Sequence, residues 1–516
     1  MKSGKFDVAV IGGGHNGLTT AALLAKGGRK VIVLERRSVL GGLGAGEEFH
    51  PGFRSPGLLT DTSGVWRSVA DTLGLASRHG LRFKTSHAPV LAASRAGAGL
   101  LLHRDPAQAA LEISRHSPRD AERYAEFRAT LERLGGFFRK LQQEPVPDAT
   151  TFSLGATVQL AKKALSLRML GRADMIEVLR IAPMCAADWL NEWFETPLLK
   201  AALAGPSVYG TFSGPWSPGT NMNLLFREAL AGPPIEGGPQ ALVRALEAAA
   251  REQGVEIRTG AEVSAIVLEG GAVRSIALAG GESLETGAVA ASCDPRRTFL
   301  DLLPRDALSM GLEHRVQAFR VRGTTAKMNL ALSGALEFRG RGGSGVEYAR
   351  TGEELDDLEK AFDCVKYGEL PARPCLEIFV PTAGDPSFAP RGSAVASILV
   401  HFAPRDLRGG WTSARKRELA DRVLAELESV APGAAGKVVG SEILSPEDIE
   451  WRYGISGGHV HHGEHALDQY FARPTPECAA HATPVPGLYV CGSGSHPGGG
   501  ITCGPGALAA AAILKS

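Results

Sequence analysis

Near the start of the chain, Phe6 to Ile11 (FDVAVI) is an almost unbroken apolar run, and a second such run, KVIVL, ends at Leu34. Short continuous apolar runs of this kind are read as strands buried on both faces, as in a parallel sheet. The Ala- and Leu-rich stretch from His15 to Lys26 between them reads as a helix, which gives a compact βαβ unit. From about residue 60 to 230 the spacing becomes helical, in segments such as DAERYAEFRATLERLGGFFRKL and DMIEVLRIAPMCAADWLNEWF, broken at Pro and Gly. The stretch GGPQALVRALEAAAREQG reads as an amphipathic helix stopped by Gly254, with strands VEIRTG, EVSAIVLE, AVRSIALA and AVAASC after it. Residues 296–439 mix strands such as TTAKMNLAL, CLEIFV and AVASILVHF with a helix over 412–430, a pattern that suits a mostly antiparallel sheet. The last segment, GLYVCGSGSHPGGGITCGPGALAAAAIL, reads strand, Gly-rich turn, helix.

With 516 residues, the chain is longer than one core usually organises. Hydrophobic residues at 44% and charged residues at 22% are ordinary for a globular protein, so disorder is not indicated. Glycine is in excess, at 64 residues, and gathers in clusters such as Gly12-Gly13-Gly14 and Gly498-Gly499-Gly500, where backbone approaches a ligand. A net charge of +1 gives no overall attraction to nucleic acid. Seven cysteines with no C-x-x-C pair argue against a disulfide framework or a zinc ribbon and fit a reducing compartment. The first strand follows Met1 too closely for a targeting peptide, and no apolar run is long enough to span a bilayer. The expected location is therefore cytoplasmic, with apposition to a membrane left open.

Gly12-x-Gly14-x-x-Gly17 stands between the first strand and the helix, and Glu35 ends the next strand 18 residues after Gly17. In that context Gly12 allows the tight turn, Gly14 lets backbone approach a pyrophosphate, and Gly17 lets helix and strand pack closely. The helix N-terminus offers free N–H groups to phosphate, and Glu35 would accept from ribose hydroxyls. The unit serves FAD and NAD(P) alike. A second glycine cluster at 39–44, holding Gly42 and Leu43, could continue around a long cofactor, and the strand at Glu262-Val263 offers an edge to an adenine. The C-terminal strand–Gly–helix unit supplies another helix N-terminus, suited to the electron-rich end of a flavin. No second G-x-G-x-x-G lies between a strand and a helix, so a built-in NAD(P)H site is not supported.

DVAVIGGGHNGL followed by LERR, GG and FHPGFR at Phe49 to Arg54 resembles the phytoene desaturase-like branch of FAD-dependent oxidoreductases. EGGPQAL, ASCDP at Ala291 to Pro295, and GLYVCGSGSHPGGGI resemble the same branch, and GGHVHHGEHALDQYFARP is closer to its pyridine nucleotide-disulphide oxidoreductase domain-containing relatives than to true carotenoid desaturases. The resemblance implies FAD held by Gly12, Gly14, Asn16, Gly17, Glu35, Arg36, Gly42, Val263, Gly492, Ser493, Gly500 and Ile501, with Thr502 in the stretch after the glycine run, where the branch varies. It also implies an α/β fold: a Rossmann-type FAD domain from 1–75, 235–298 and 480–516, a helical insertion over 76–234, and a mainly antiparallel substrate domain over 299–479.

In such an enzyme the isoalloxazine N5 takes a hydride and the protein orients the substrate and handles a proton. His496, Asp61 and His462 are the candidate catalytic side chains; His496 could instead brace its loop and Asp61 could cap a helix. The cluster His459, His461, His462 and His465 lacks an acid or thiolate set at ligand spacing, so no metal is expected. The expected substrate is largely apolar, with oxygen or a quinone as electron acceptor; alternatives are a flavin-dependent saturase or isomerase, an amine oxidase, or a flavin-binding interaction protein. LAKKALSLRML, at residues 160–170, reads either as a peripheral membrane contact or as a buried helix with a solvated edge. The oligomeric state has no signature in the sequence.

Overall fold

The computed structural model describes residues 5–147, 154–342 and 345–516. β1 (Phe6–Ile11) lies parallel to β2 (Val31–Leu34), with α1 (His15–Lys26) joining them. β1 also pairs in parallel with Ser283–Ala291, which takes Leu488–Val490 on its far side, while Glu256–Arg258 pairs with the outer side of β2. The antiparallel strands Val263–Glu269 and Ala272–Leu278 extend this sheet from the first half of Ser283–Ala291.

The two faces of the parallel strands alternate. Val8, Val10, Val31 and Val33 pack against α1 and the helices Gly238–Glu252 and Gly504–Lys515 through Leu18, Leu242, Leu246 and Leu508. Ala9, Ile11, Ile32 and Leu34 face the other way, onto Ile266, Phe299 and Leu312. Burial on both faces explains why these strands read as continuous apolar runs. The architecture is the expected Rossmann-type α/β unit. Its last helix comes against α1 with almost no gap: a Cβ on Gly506 would lie 2.3 Å from the carbonyl oxygen of Asn16, and Thr20 Oγ1 donates to the Gly506 carbonyl at 3.0 Å.

A second sheet runs in the order Val438–Leu444, Thr325–Leu332, Ala394–His401, Cys375–Phe379, Tyr348–Arg350, Val90–Ala92, Leu100–Leu102. Every neighbouring pair is antiparallel except Tyr348–Arg350 with Val90–Ala92. Residues 90–92 and 100–102, from the stretch read as helical insertion, thus complete the sheet of the other segment; both strands are too short to carry a periodic signal. One face of this sheet is wholly apolar, with Met328, Leu330, Ile398, Val400 and Leu376 packed under Leu419, Val423 and Leu427 of the helix Ser413–Val430. The alternate positions carry polar side chains that are nonetheless buried, among them Lys327, Asn329, Ser397 and His401. This face meets the helical layer: Thr324 Oγ1 donates to the Thr211 carbonyl, and the His401 ring stacks on Tyr209 at 3.8 Å.

The helical layer is built on Pro118–Gln143, which starts where the Ser117 hydroxyl accepts from Asp120 N–H at 3.2 Å. Its Phe127 meets Trp189 at 5.1 Å and Phe194 at 5.0 Å in a closed aromatic cluster. The segment 174–194, one stretch by its spacing, is two helices, Arg172–Ile181 and Ala186–Trp193, with Pro183 between them. Among the described residues no helix is long and apolar enough to cross a membrane. All seven cysteines are free thiols.

Candidate functional site

At the carboxyl ends of the parallel strands a cleft opens, lined by the glycine turn and by residues from several distant segments. The β1–α1 turn forms its floor. Gly12 takes φ +100°, a conformation open to glycine, and its N–H donates to the Leu34 carbonyl. α1 has no side-chain cap and no acidic residue in its first turn, and its first helical hydrogen bond starts at Leu18. The N–H groups of His15, Asn16 and Gly17 are therefore left by the helix for an anion. Across the turn the backbones of Gly14 and Gly42 run side by side, and a Cβ on Gly14 would meet nothing nearer than Gly42 Cα at 3.9 Å.

Gly12, Gly14, Asn16, Glu35, Arg36, Gly42, Leu43, Val263, Ser493 and Gly500 all line the cleft. Glu35 is buried, with Oε2 accepting from Gly13 N–H at 2.7 Å and Oε1 from Arg37 N–H at 2.8 Å. Arg36 is clamped by the carbonyls of Trp451 and Arg452, each at 2.9 Å. Asn16 Nδ2 donates to Ser493 Oγ at 3.2 Å, while Asn16 Oδ1, His15 Nε2 and His462 Nδ1 are buried without a partner. Free helix N–H groups, a glycine-walled slot and unpartnered polar atoms facing one space fit a dinucleotide with its pyrophosphate at α1.

Four residues expected at the cofactor do not line the cleft and shape it from beneath. A Cβ on Gly17 would lie 2.0 Å from the Gly12 carbonyl oxygen, and one on Gly492 2.5 Å from that of Ser292. Ile501 is buried among the residues beneath the helices, and Thr502 Oγ1 accepts from Gly504 N–H at the start of the C-terminal helix. Ser292, Cys293, Arg297, Tyr453, Gly454, Ile455 and Val460 line the cleft without having been foreseen. The last four come from a segment carried in by the helix Pro446–Tyr453, whose approach has no local sequence mark. His462, a little further along, takes a left-handed φ of 55° at a non-glycine residue.

Of the catalytic candidates, His462 lines the cleft. Asp61 lies apart from it, exposed, with Oδ1 accepting from the N–H and hydroxyl of Ser63 in a local turn; the next helix is capped at Trp66 instead. His496 is buried with Nε2 3.1 Å from the Glu144 carbonyl, the bracing arrangement. Beside the glycine run lies a buried group of rings. His461 stacks on His465 at 4.4 Å, His465 meets Tyr470 at 5.3 Å, and Tyr470 stacks on Phe226 at 4.1 Å. His465 Nε2 accepts from Gly499 N–H at 3.1 Å. Burial lowers His15 and His462 to about 4 and His461 to about 3, helped at His462 by Arg473. Arg473 itself is fully buried among the carbonyls of His461, Gly463, Glu464 and Gly494, and burial lowers it to about 10. Among the described residues no group of three or more His, Cys, Asp or Glu is set to hold a metal ion.

Glu35→Ala is expected to weaken FAD retention by roughly ten- to a hundredfold, because the Gly13 and Arg37 N–H groups lose the charged acceptor that holds the turn in shape. Fluorescence titration of apoprotein with FAD reads this; unchanged affinity would remove Glu35 from the site.

The profile of flavin containing amine oxidoreductases matches residues 17–512. The chain is 32% identical to pyridine nucleotide-disulfide oxidoreductase domain-containing protein 2 of Rattus norvegicus, over 99% of this chain and 94% of that one. It is 29% identical to a limonene dehydrogenase polypeptide of Castellaniella defragrans, over 99% and 94%. In fold it resembles the crystal structure of putrescine oxidase bound to putrescine, with a TM-score of 0.60 at 15% identity over 99% of both chains.

Proposed function

Because the chain belongs to the family of flavin containing amine oxidoreductases, we propose that this FAD-dependent oxidoreductase is a dehydrogenase of the phytoene desaturase-like type, acting on a largely apolar organic substrate. The observation that carries this reading is the wall of rings beside Gly498–Gly500. Phe226, Tyr470 and His461 are buried, His465 is half-buried, and the rings are in contact; desolvation holds both histidines neutral. This cluster favours apolar carbon over a cationic amine, because the charged groups nearest its histidines are the cations Arg473 and Arg227. The likeness to the limonene dehydrogenase polypeptide supports the same class, limonene being a hydrocarbon.

When bound, FAD supplies a two-electron acceptor at the isoalloxazine N5. The chain's residues do the rest. The N-terminus of α1 and Glu35 fix the pyrophosphate and ribose. His465 accepts from Gly499 N–H through Nε2, so its ring proton sits on Nδ1 and the glycine run is held against the rings. His462, with Nδ1 unpartnered on the cleft wall, takes up the proton leaving the carbon next to the one oxidised. Oxygen or a quinone would serve as the final electron acceptor.

Anaerobic mixing of the FAD-loaded protein with a panel of apolar alcohols, amines, isoprenoid hydrocarbons and unsaturated lipids tests this. An apolar hydrocarbon or alcohol is expected to bleach the oxidised flavin band, and His462→Ala to slow bleaching by roughly 10²–10⁴-fold. Bleaching by amines alone overturns the substrate class. Turnover without bleaching points to isomerisation, and the absence of both points to an interaction protein.

A further inference from the structure

Helix Leu154–Arg168 is turned inside out. Among its described side chains only Ala156 is buried. Leu154, Val158, Ala161 and Leu165 recur at i, i+4, i+7 and i+11, the spacing of one helical face, yet that face points to solvent. Leu154 is 82% exposed and Leu165 57%, and Met169 just beyond is 77% exposed. On the neighbouring helix Arg172–Ile181, Ile176 and Leu179 are exposed too. A 15-residue helix with one buried residue gains little from packing, and a helix of that length is marginal alone in water. An apolar face of this extent marks an interaction surface.

Charge tells what covers it. Residues 154–181 carry five basic side chains, Lys162, Lys163, Arg168, Arg172 and Arg180, and two acidic ones, Asp174 and Glu177, in a chain whose net charge is only +1. By helical geometry Lys162 and Arg168 flank the exposed stripe on its two sides. Lys162, Arg168 and Arg172 have no ion-pair partner among the described residues, whereas Asp174 is paired with Arg133 and Glu177 with Arg180. An apolar stripe bordered by free cations is how a helix lies in the headgroup layer of an anionic bilayer, with its lysines and arginines reaching up to phosphate.

The position also fits. Lys163 Nζ pairs with the Glu144 carboxylate at 3.0 Å, and the carbonyl of Glu144 meets His496 Nε2 at 3.1 Å. His496 is four residues before Gly500 on the cofactor cleft. The exposed helix is thus tied through one residue to the segment that closes the flavin site. We propose that helices Leu154–Arg168 and Arg172–Ile181 form a docking face that seats the enzyme on an anionic lipid surface.

Vesicle co-sedimentation of the FAD-loaded full chain tests the docking face without turnover, so its failure and that of the proposed chemistry are read separately. At about 0.1 M salt, the protein is expected to sediment with phosphatidylcholine vesicles containing about 30% phosphatidylglycerol and to stay in solution with phosphatidylcholine alone. Leu165→Glu combined with Met169→Glu, both at exposed positions, should abolish sedimentation while flavin absorbance is kept. Lys162→Ala with Arg168→Ala should weaken partitioning about thirtyfold, at roughly fivefold per cation. The proposal is overturned if the native protein ignores anionic vesicles, or if the double glutamate variant still binds them. It is equally overturned if the native protein forms a dimer that those glutamates dissolve, with no lipid binding.

Discussion

A Gly17→Ala protein is expected to lose its FAD and to melt well below the native one. The added Cβ would stand 2.0 Å from the Gly12 carbonyl oxygen, against backbone that the Gly12 N–H to Leu34 carbonyl bond holds in place. Relief requires α1 to retreat from β1 by more than an ångström. That carries the N–H groups of His15, Asn16 and Gly17 away from the pyrophosphate, and it drives the other end of the gap into Gly506, already in contact with Asn16. Overpacking of a well-filled site costs about 1–3 kcal/mol, and misplacing the phosphate-binding donors adds a comparable loss, so FAD affinity should fall at least about a hundredfold. Gly136→Ala is the control. It lies inside the helix Pro118–Gln143 with nothing within 4 Å of a new Cβ, and it should stabilise by up to about 1 kcal/mol. Equal FAD content in the two purified variants would sink the argument.

Acid is expected to unfold this protein unusually early. His15, His459, His461, His462, His465, His481 and His496 are all held below the ordinary imidazole range, in each case mainly by burial. The folded state keeps these rings neutral where the unfolded chain protonates them, so the unfolded state binds more protons and stability falls as pH falls. The loss begins near the unfolded pKa of about 6.5 and continues down to folded values of about 3 to 4. Between pH 6.5 and 5.5 each such group forfeits about 1 kcal/mol. Several of these rings also face one another, so their combined loss is several times that of one group and takes a large part of the stability of a typical domain. Thermal melts of the FAD-loaded protein should therefore drop steeply across that single unit and level off above pH 7.5. A flat melting profile from pH 7.5 to 5.5 would mean that the rings are hydrated or already charged in the folded protein.

The parts of the site that could be read in advance are those whose chemistry is local. The turn from Ile11 to Gly17 and the acid at Glu35 lie within one βαβ unit, where strand burial and glycine geometry leave few alternatives. The second glycine cluster, Ser493 and Gly500 were legible through their motifs. The part of the cleft lined by Tyr453, Gly454, Ile455 and Val460 was not, because that segment reaches the cleft by tertiary packing. Its anchor is a pair of backbone carbonyls taken by Arg36, and carbonyls leave no trace in side-chain sequence. Asp61 misled because an aspartate before Ser63 suits a helix cap and a local turn equally, and the turn won. The outward stripe of Leu154–Arg168 shows the same limit from the other side: periodicity reveals that a helix has an apolar face, but not whether the fold or something outside it receives that face.

The parallel sheet is knitted from stretches far apart in the chain, and its last strand and helix, Leu488–Val490 and Gly504–Lys515, lie nearly five hundred residues after α1. At the pace of translation, about 5–20 residues per second, α1 waits roughly 25–100 s for the helix that covers it. Leu18 and Leu24, fully buried in the finished protein, spend that interval without their partner. A nascent chain in this state is a natural client for chaperones, and the cleft is incomplete until the segment bearing Ser493 and Gly500 has joined it.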